Sequence, residues 1–457
     1  MAWNVVIAGG GFGGLQTAHR LCRLLPPQSA RITLVNETNF MLYTPLLPGA
    51  AAGTLEPRHV VVPLREQLSD QVNLRVGRVL GADPARRSVS VRSLHGDVNE
   101  LRYDHLVIAL GSVSRTLPVP GLAEHAIGLK SLPEAIQLRN RLLQSFEIAE
   151  TIDDAAERAS YLTYVFVGAG YAGLEGLAEL QDFATDVIEH YPRCRVSGMR
   201  WMLVDAADRV MPEIKPQLAA FATRELQGRG IEIRTSTTLQ EVTETHAVLS
   251  DGEIVPTRCV VWTAGVRPHP VVARLGLPLD ERGRIPTDKF LQVDGHDSIW
   301  AIGDAAAVPD PAQGRKVAAP PTAQHATREG KVVAQNIAAA MGVGKPRPFR
   351  YRTLGVFVDM GRGKAVASTL GLRWRGTPAW WLARTYHLAL MPGWGRRARL
   401  LFDWNVGLLF GRDTAELGQL GHAEGLPPSA SCSWGGCSGR SVAVAGLASR
   451  RCSCTCR

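Results

Sequence analysis

The chain has 457 residues, 45% of them hydrophobic and 20% charged, with a formal net charge of +9. That length exceeds what one core supports and predicts two or three domains of ordinary globular composition. The composition excludes a chain disordered throughout, and no continuous apolar run of about 20 residues predicts a membrane-crossing helix.

The N-terminus enters a β-branched segment at once, without the basic, apolar and small-residue regions of an export signal, so a cytoplasmic protein is expected. Residues 4–8, NVVIA, read as a buried strand. Gly9, Gly11 and Gly14 follow in GxGxxG spacing, then a helix-like segment to Leu25. A second strand, RITLV at 31–35, ends in Asn36-Glu37. Strand, glycine turn, helix, strand and terminal acid are the parts of a dinucleotide site. Glycines admit the backbone to a diphosphate, the helix N-terminus supplies N–H groups and positive dipole, and the acid accepts from a ribose.

Residues 104–112, DHLVIALGS, read as a buried strand closing on the small residues Ala109 and Gly111. The acidic, Ala-rich stretch 146–159 predicts one helix leading into a second unit of the same grammar. There YVFV at 164–167 precedes Gly168, Gly170 and Gly173, a helix runs from Leu174 to about His190, and RWMLV at 200–204 ends in Asp205. The interval from Gly173 to Asp205 exceeds the usual ~20 residues, which predicts a longer helix and loop rather than a different fold. Two units predict two dinucleotides. CVVWTAG at 259–265, ending in Ala264-Gly265, mirrors 104–112, and SIWAIGDAA at 298–306 sets Gly303 and Asp304 at a further strand end.

From Gly371 to Arg412 the composition changes: five of the ten tryptophans fall here, and seven arginines face one acid, Asp403. Stretches 378–391 and 397–411 read as helices suited to lying in a membrane interface, with tryptophans at headgroup depth and arginines on anionic lipid. Packing on the protein's own core, or a homodimer interface, is the alternative. No nucleic-acid motif accompanies the charge. Cys22, Cys194 and Cys259 are isolated, five further cysteines crowd the last 26 residues, and no C-x-x-C pair predicts a metal site. Residues 426–457 are expected to be disordered.

With GGGFGG, ALGS, VGAGYAGLE, TAG and IGD in this order, the chain resembles the pyridine nucleotide–disulfide oxidoreductase-like flavoproteins. More narrowly it is similar to the type II NADH:quinone oxidoreductases, on YTPLLP (43–48), PTAQHATREG (321–330) and the Trp/Arg-rich C-terminal segment. The resemblance implies an α/β fold with two Rossmann-like domains, for FAD and NAD, and a C-terminal amphipathic membrane-associating region. The implied boundaries are 1–117 plus 266–345 for FAD, 118–265 for NADH and 346–425 for the quinone side.

By the same resemblance Gly9, Gly11, Phe12 and Gly14 cradle the FAD diphosphate, Asn36 and Glu37 meet its ribose, and Val79 offers backbone to its adenine. Thr44 and Pro45 lie by the isoalloxazine, Ala109, Gly111 and Gly303 pass close to the cofactor, and Asp304 binds the ribityl chain. Gly168, Gly170, Gly173, Ala264 and Gly265 serve NADH, with Glu175 beside the nicotinamide and Asp205 on the ribose. A carboxylate there disfavours a 2′-phosphate, a preference that Arg209 would soften. Ala323, Gln324 and His325 border the quinone, with Arg328 replacing a second glutamine of the family's pattern. Glu175, Gln324 and His325 are the catalytic candidates. Set against that, Glu175 also suits a first-turn carboxylate and His325 an N-terminal polar residue. The implied activity carries electrons from NADH through FAD to a membrane quinone, without proton pumping, on the cytoplasmic membrane face. A reductase for a soluble acceptor and a redox-sensing NADH-binding protein are the alternatives.

Overall fold

The computed structural model describes residues 2–310, 318–353, 355–369 and 371–416. The tail 426–457, with its five cysteines, lies outside the described residues.

The first apolar run forms β1 (Trp3–Ala8), buried on both faces from Val5 onward. It leads through the glycine turn into α1 (Phe12–Leu24) and returns as β2 (Ala30–Asn36). Both strands belong to a seven-stranded sheet, ordered Ile299–Ala301, His105–Ile108, β1, β2, Val72–Asp83, Ser88–Ser93, Val98–Arg102. The first five are parallel, and the last two add an antiparallel edge. Because β1 lies between β2 and His105–Ile108, the strand order reverses at its C-terminal end, and a crevice opens there.

A second, five-stranded parallel sheet repeats this plan with β3 (Thr163–Val167), α2 (Tyr171–Val187) and β4 (Arg200–Val204). Its order is Ala126–Gly128, Cys259–Trp262, β3, β4, Ile231–Arg234. The long interval before Asp205 holds a 3-10 turn, Ile188–His190, and a short helix, Pro192–Ser197. The single helix expected over 146–159 is instead two. Leu132–Thr151 starts at a Ser131/Glu134 capping box, and Ala155–Tyr161 restarts where Asp154 accepts the Glu157 N–H at 2.7 Å. Asp154 is a better cap than helix-interior residue, so the chain breaks there.

Helix α3 (Ala323–Ala340) packs on α1 through glycines: a Cβ on Gly330 would lie 2.4 Å from the Gly13 carbonyl oxygen. The Thr17 hydroxyl donates to that same oxygen at 2.8 Å. This close crossing fixes the start of α3 beside the first glycine turn. An antiparallel sheet follows, made of β5 (Gly355–Asp359), Ala365–Thr369 and Leu372–Gly376. Then come α4 (Thr377–Leu390) and α5 (Trp394–Phe410).

The structure corrects part of the reading of residues 371–412. Trp380 and Trp404 are buried, whereas Trp374, Trp381 and Trp394 are exposed. Arg412 turns inward to Asp182 at 2.8 Å, and Arg396 donates to the Arg58 carbonyl at 2.7 Å. Arg384 lies over the rings of Trp380 and Trp404, with its guanidinium carbon 3.8 and 4.8 Å from their centroids. Three of the seven arginines are therefore internal. Outward, α5 presents Phe402, Leu408, Leu409 and Phe410, the last 82% exposed.

Candidate functional site

The two glycine turns are built alike, bond for bond. Gly9 donates to the Val35 carbonyl at 2.8 Å, and Gly168 donates to the Val204 carbonyl at 2.8 Å. Both glycines have φ of +108°, a backbone region that L side chains rarely enter. A Cβ on either would collide with backbone, of Ala109 in one turn and Ala264 in the other. Gly14 and Gly173 pack under their turns, where a Cβ would meet the Gly9 and Gly168 oxygens at 1.8 and 1.9 Å. Gly11 and Gly170 differ: a Cβ on either meets nothing within 4 Å. Each is the N-cap of its helix and supplies no capping side chain, so the first-turn N–H groups face open space. An N-terminal helix dipole above an open glycine fits a diphosphate, twice over.

The strand-end residues also correspond. Asn36 accepts the Gly10 N–H at 2.8 Å through its side-chain oxygen, and its amide donates to the Thr38 carbonyl at 2.9 Å. Asp205 accepts the Ala169 N–H in the same way and the Ala207 N–H at 2.7 Å. Both side chains thus hold their loops, and the carboxylate keeps further lone pairs for a ribose. Glu37 points instead to Arg78 at 3.0 Å. Arg209 donates to the Pro212 and Ile214 carbonyls, at 2.5 and 3.1 Å. These bonds hold the Arg209 guanidinium against its own loop.

Around the first crevice, Gly111 and Gly303 have φ of +68° and +69°, and Gly265 has +93° in the second. Asp304 accepts from the Ser112 hydroxyl at 2.5 Å and lies 3.6 Å from Lys130. Val79 is buried in Val72–Asp83. Phe12 meets Tyr43 edge-on at 5.4 Å, which sets the short turn Thr44–Leu46 against α1. One residue the sequence reading missed is Glu329, fully buried on α3 and accepting the Gly303 N–H at 2.6 Å. Burial and the nearby Asp304 push its carboxyl up to about 7. Only the spacing of Glu329 one turn past His325 could have hinted at it.

Where residues 45–55, α2, β5 and the C-terminal helices converge lies a cleft of about 50 Å³. Its walls include Pro45, Leu46, Glu175, Asp359, Arg384 and Trp404. Glu175, in the second turn of α2, accepts the Asp359 N–H at 2.9 Å. Burial, with Asp359 and Glu179 beside it, holds the Glu175 carboxyl well above its ordinary range. Burial likewise raises Asp359 to about 7. His387 also lines the cleft, and burial lowers its ring to about 4. Burial thus favours the protonated form of Glu175 and keeps the His387 imidazole neutral at neutral pH.

The structure brings Glu175 and Pro45 together but sets Gln324 and His325 apart from them. Gln324 accepts from the Tyr351 hydroxyl at 2.7 Å and donates to the Gly355 carbonyl at 3.1 Å, which ties α3 to β5. His325 is buried against Tyr351, with its Nδ1 2.7 Å from the N-cap hydroxyl of Thr322. Burial lowers its pKa. Ala323 opens the helix. Arg328 stacks on Tyr351 at 4.1 Å and donates to its own helix at the Gln324 carbonyl. Cys194 and Cys259 are buried thiols pushed up to about 12, poorly suited to nucleophilic work.

The sequence model of the pyridine nucleotide-disulphide oxidoreductases matches residues 3–330. The chain belongs to this family. Among its relatives, a type II NADH:quinone oxidoreductase of Mycobacterium tuberculosis is 32% identical over 424 residues, covering 89% of this chain and 88% of that protein. A probable NADH dehydrogenase of Dictyostelium discoideum is 30% identical over 389 residues, covering 84% and 85%. The solved structure of the family member NDH2 from Plasmodium falciparum, in complex with NADH, superposes with a TM-score of 0.84. It covers 91% of this chain and all of the other at 17% identity, a likeness of fold.

Proposed function

We propose that the protein oxidises NADH and reduces a membrane quinone, using FAD and without pumping protons. The observation that carries this reading is the duplicated glycine turn, two open diphosphate cradles whose units converge on one cleft. FAD, when bound, supplies the ring that takes a hydride from the nicotinamide and returns two electrons to the acceptor.

The residues divide as follows. Gly9, Gly11 and Gly14 receive the FAD diphosphate, within a domain of 1–117 and 266–345. Asp304, fixed by Ser112 and Lys130, faces the ribityl chain. Gly168, Gly170 and Gly173 receive that of NADH, within 118–265. Asp205 accepts from its ribose and, with Arg209 tied to carbonyls, favours NADH over NADPH. Pro45 and Leu46 wall the cleft against water, and burial biases the Glu175 carboxyl beside the reacting rings toward holding a proton. Chemistry of this kind rests on positioning more than on an acid–base pair.

Among the described residues no helix is long and apolar enough to cross a membrane. The exposed apolar side of α5, with Trp381 and Trp394, supports attachment in the plane of the cytoplasmic membrane face. That side favours a bilayer acceptor over a soluble one. Mixing the protein with NADH in a stopped-flow instrument should bleach the flavin, and adding a quinone should restore its colour. Rapid bleaching without recovery on any quinone would refute the acceptor half.

A further inference from the structure

The cleft contains one cation whose N–H groups are left without a hydrogen-bond acceptor among the described residues. Among the described residues Arg384 forms no hydrogen bond and no ion pair within 4 Å, and its Nε is buried without a partner. Buried guanidinium donors are nearly always satisfied, and leaving one bare costs about 1–3 kcal/mol. Its position is nonetheless rigid, since the side chain lies over Trp380 at 3.8 Å and Trp404 at 4.8 Å. Both indoles are buried, so the fork is held in place before any ligand arrives. Glu175 and Asp359, which line the same cleft together with Glu179, are raised by burial toward their protonated forms. The cleft thus presents a guanidinium fixed over two indoles, acted on by Asp359 and Glu179 but hydrogen-bonded to neither.

We propose that Arg384 selects the electron acceptor: its guanidinium donates hydrogen bonds to a ring oxygen of the quinone, and prefers an anionic hydroxyquinone over a neutral quinone of equal size. This rests on the function proposed above and specifies the acceptor within it. In the reaction two C=O bonds become two C–OH groups. The electron pair and one proton derive from the hydride of NADH, and the second proton derives from solvent. The oxygen facing Arg384 gains negative charge before it is protonated, and there a planar, charged donor pair acts most strongly.

The test compares 2-hydroxy-1,4-naphthoquinone, an anion at neutral pH, with neutral 1,4-naphthoquinone. Both are water-soluble and need no lipid. Binding to the FAD-loaded protein is read without NADH, from saturable quenching of tryptophan emission. Turnover is read as kcat/KM with NADH. Arg384→Gln should weaken binding of the anion about tenfold or more, while binding of the neutral ring changes about twofold at most. Arg384→Lys, which keeps the charge but not the fork, should recover part of the loss. Melting temperature and the rate of flavin bleaching by NADH check that each variant is folded and loaded. Equal loss for both rings, or no loss for either, overturns the inference. Arg384-dependent binding of the anion without reoxidation by either ring would support it while refuting quinone reduction.

Discussion

Asn36 holds the first glycine turn by accepting the Gly10 N–H at 2.8 Å, and Asp205 does the same for Ala169 in the second. The two units therefore share one loop-holding bond, made by a neutral amide in one and a carboxylate in the other. Asp205→Asn should keep the bond, since Asn36 already makes it, and remove only the charge. The expected result is a rise of about tenfold in the NADPH:NADH ratio of kcat/KM, with unchanged melting. An unchanged ratio would mean that another group sets the preference.

The glycines separate binding from folding. Gly11→Ala places its methyl in open space, so the flavin-free protein should melt within about 0.5 kcal/mol of wild type yet lose most of its FAD. Gly14→Ala drives a methyl against the Gly9 oxygen and should destabilise the fold by about 3 kcal/mol. Flavin content and melting of the flavin-free protein, measured together, distinguish the two outcomes.

Glu329 predicts a pH dependence. Its carboxyl is raised from 4.5 to about 7, so the folded protein binds this proton more tightly than the unfolded chain. The contribution to stability is fully present below about pH 4.5 and is lost as pH rises through about 7. Glu329→Gln keeps an oxygen for the Gly303 N–H and removes the titration. The variant should therefore exceed wild type by about 3 kcal/mol at pH 8 and show little advantage at pH 4.5. Melting curves at the two pH values read this directly.

The tryptophans of the C-terminal helices fall into two kinds. Trp404→Ala removes a buried ring and should cost about 3 kcal/mol of stability. Phe402→Glu and Leu409→Glu alter only the exposed side of α5, and should instead reduce co-sedimentation with anionic vesicles at unchanged melting. Unchanged vesicle binding would point to another surface.

Local requirements made much of this legible in the sequence. Gly9 and Gly14 meet backbone demands that no other residue meets, Gly11 leaves space open above the helix start, and Gly168, Gly173 and Gly170 repeat the pattern. The unusual interval before Asp205 resolved into the turn at Ile188–His190 and the helix Pro192–Ser197. What stayed hidden depends on distant packing. Arg412 reads as one more surface cation until the fold sets it 2.8 Å from Asp182. Asp359 and Arg384 carry no motif, and only the meeting of α2, β5 and α4 places them in the cleft with Glu175. The Gln324 amide joins Tyr351 to Gly355, a tertiary contact that no local pattern encodes.

The most direct measurement is the stoichiometry of the two dinucleotides on the purified chain. Extraction should release one FAD per protein, and anaerobic titration of the loaded protein should bleach that flavin at one equivalent of NADH without displacing it. Colourless protein that refuses added FAD, or NADH that competes with FAD for a single site, would contradict the account.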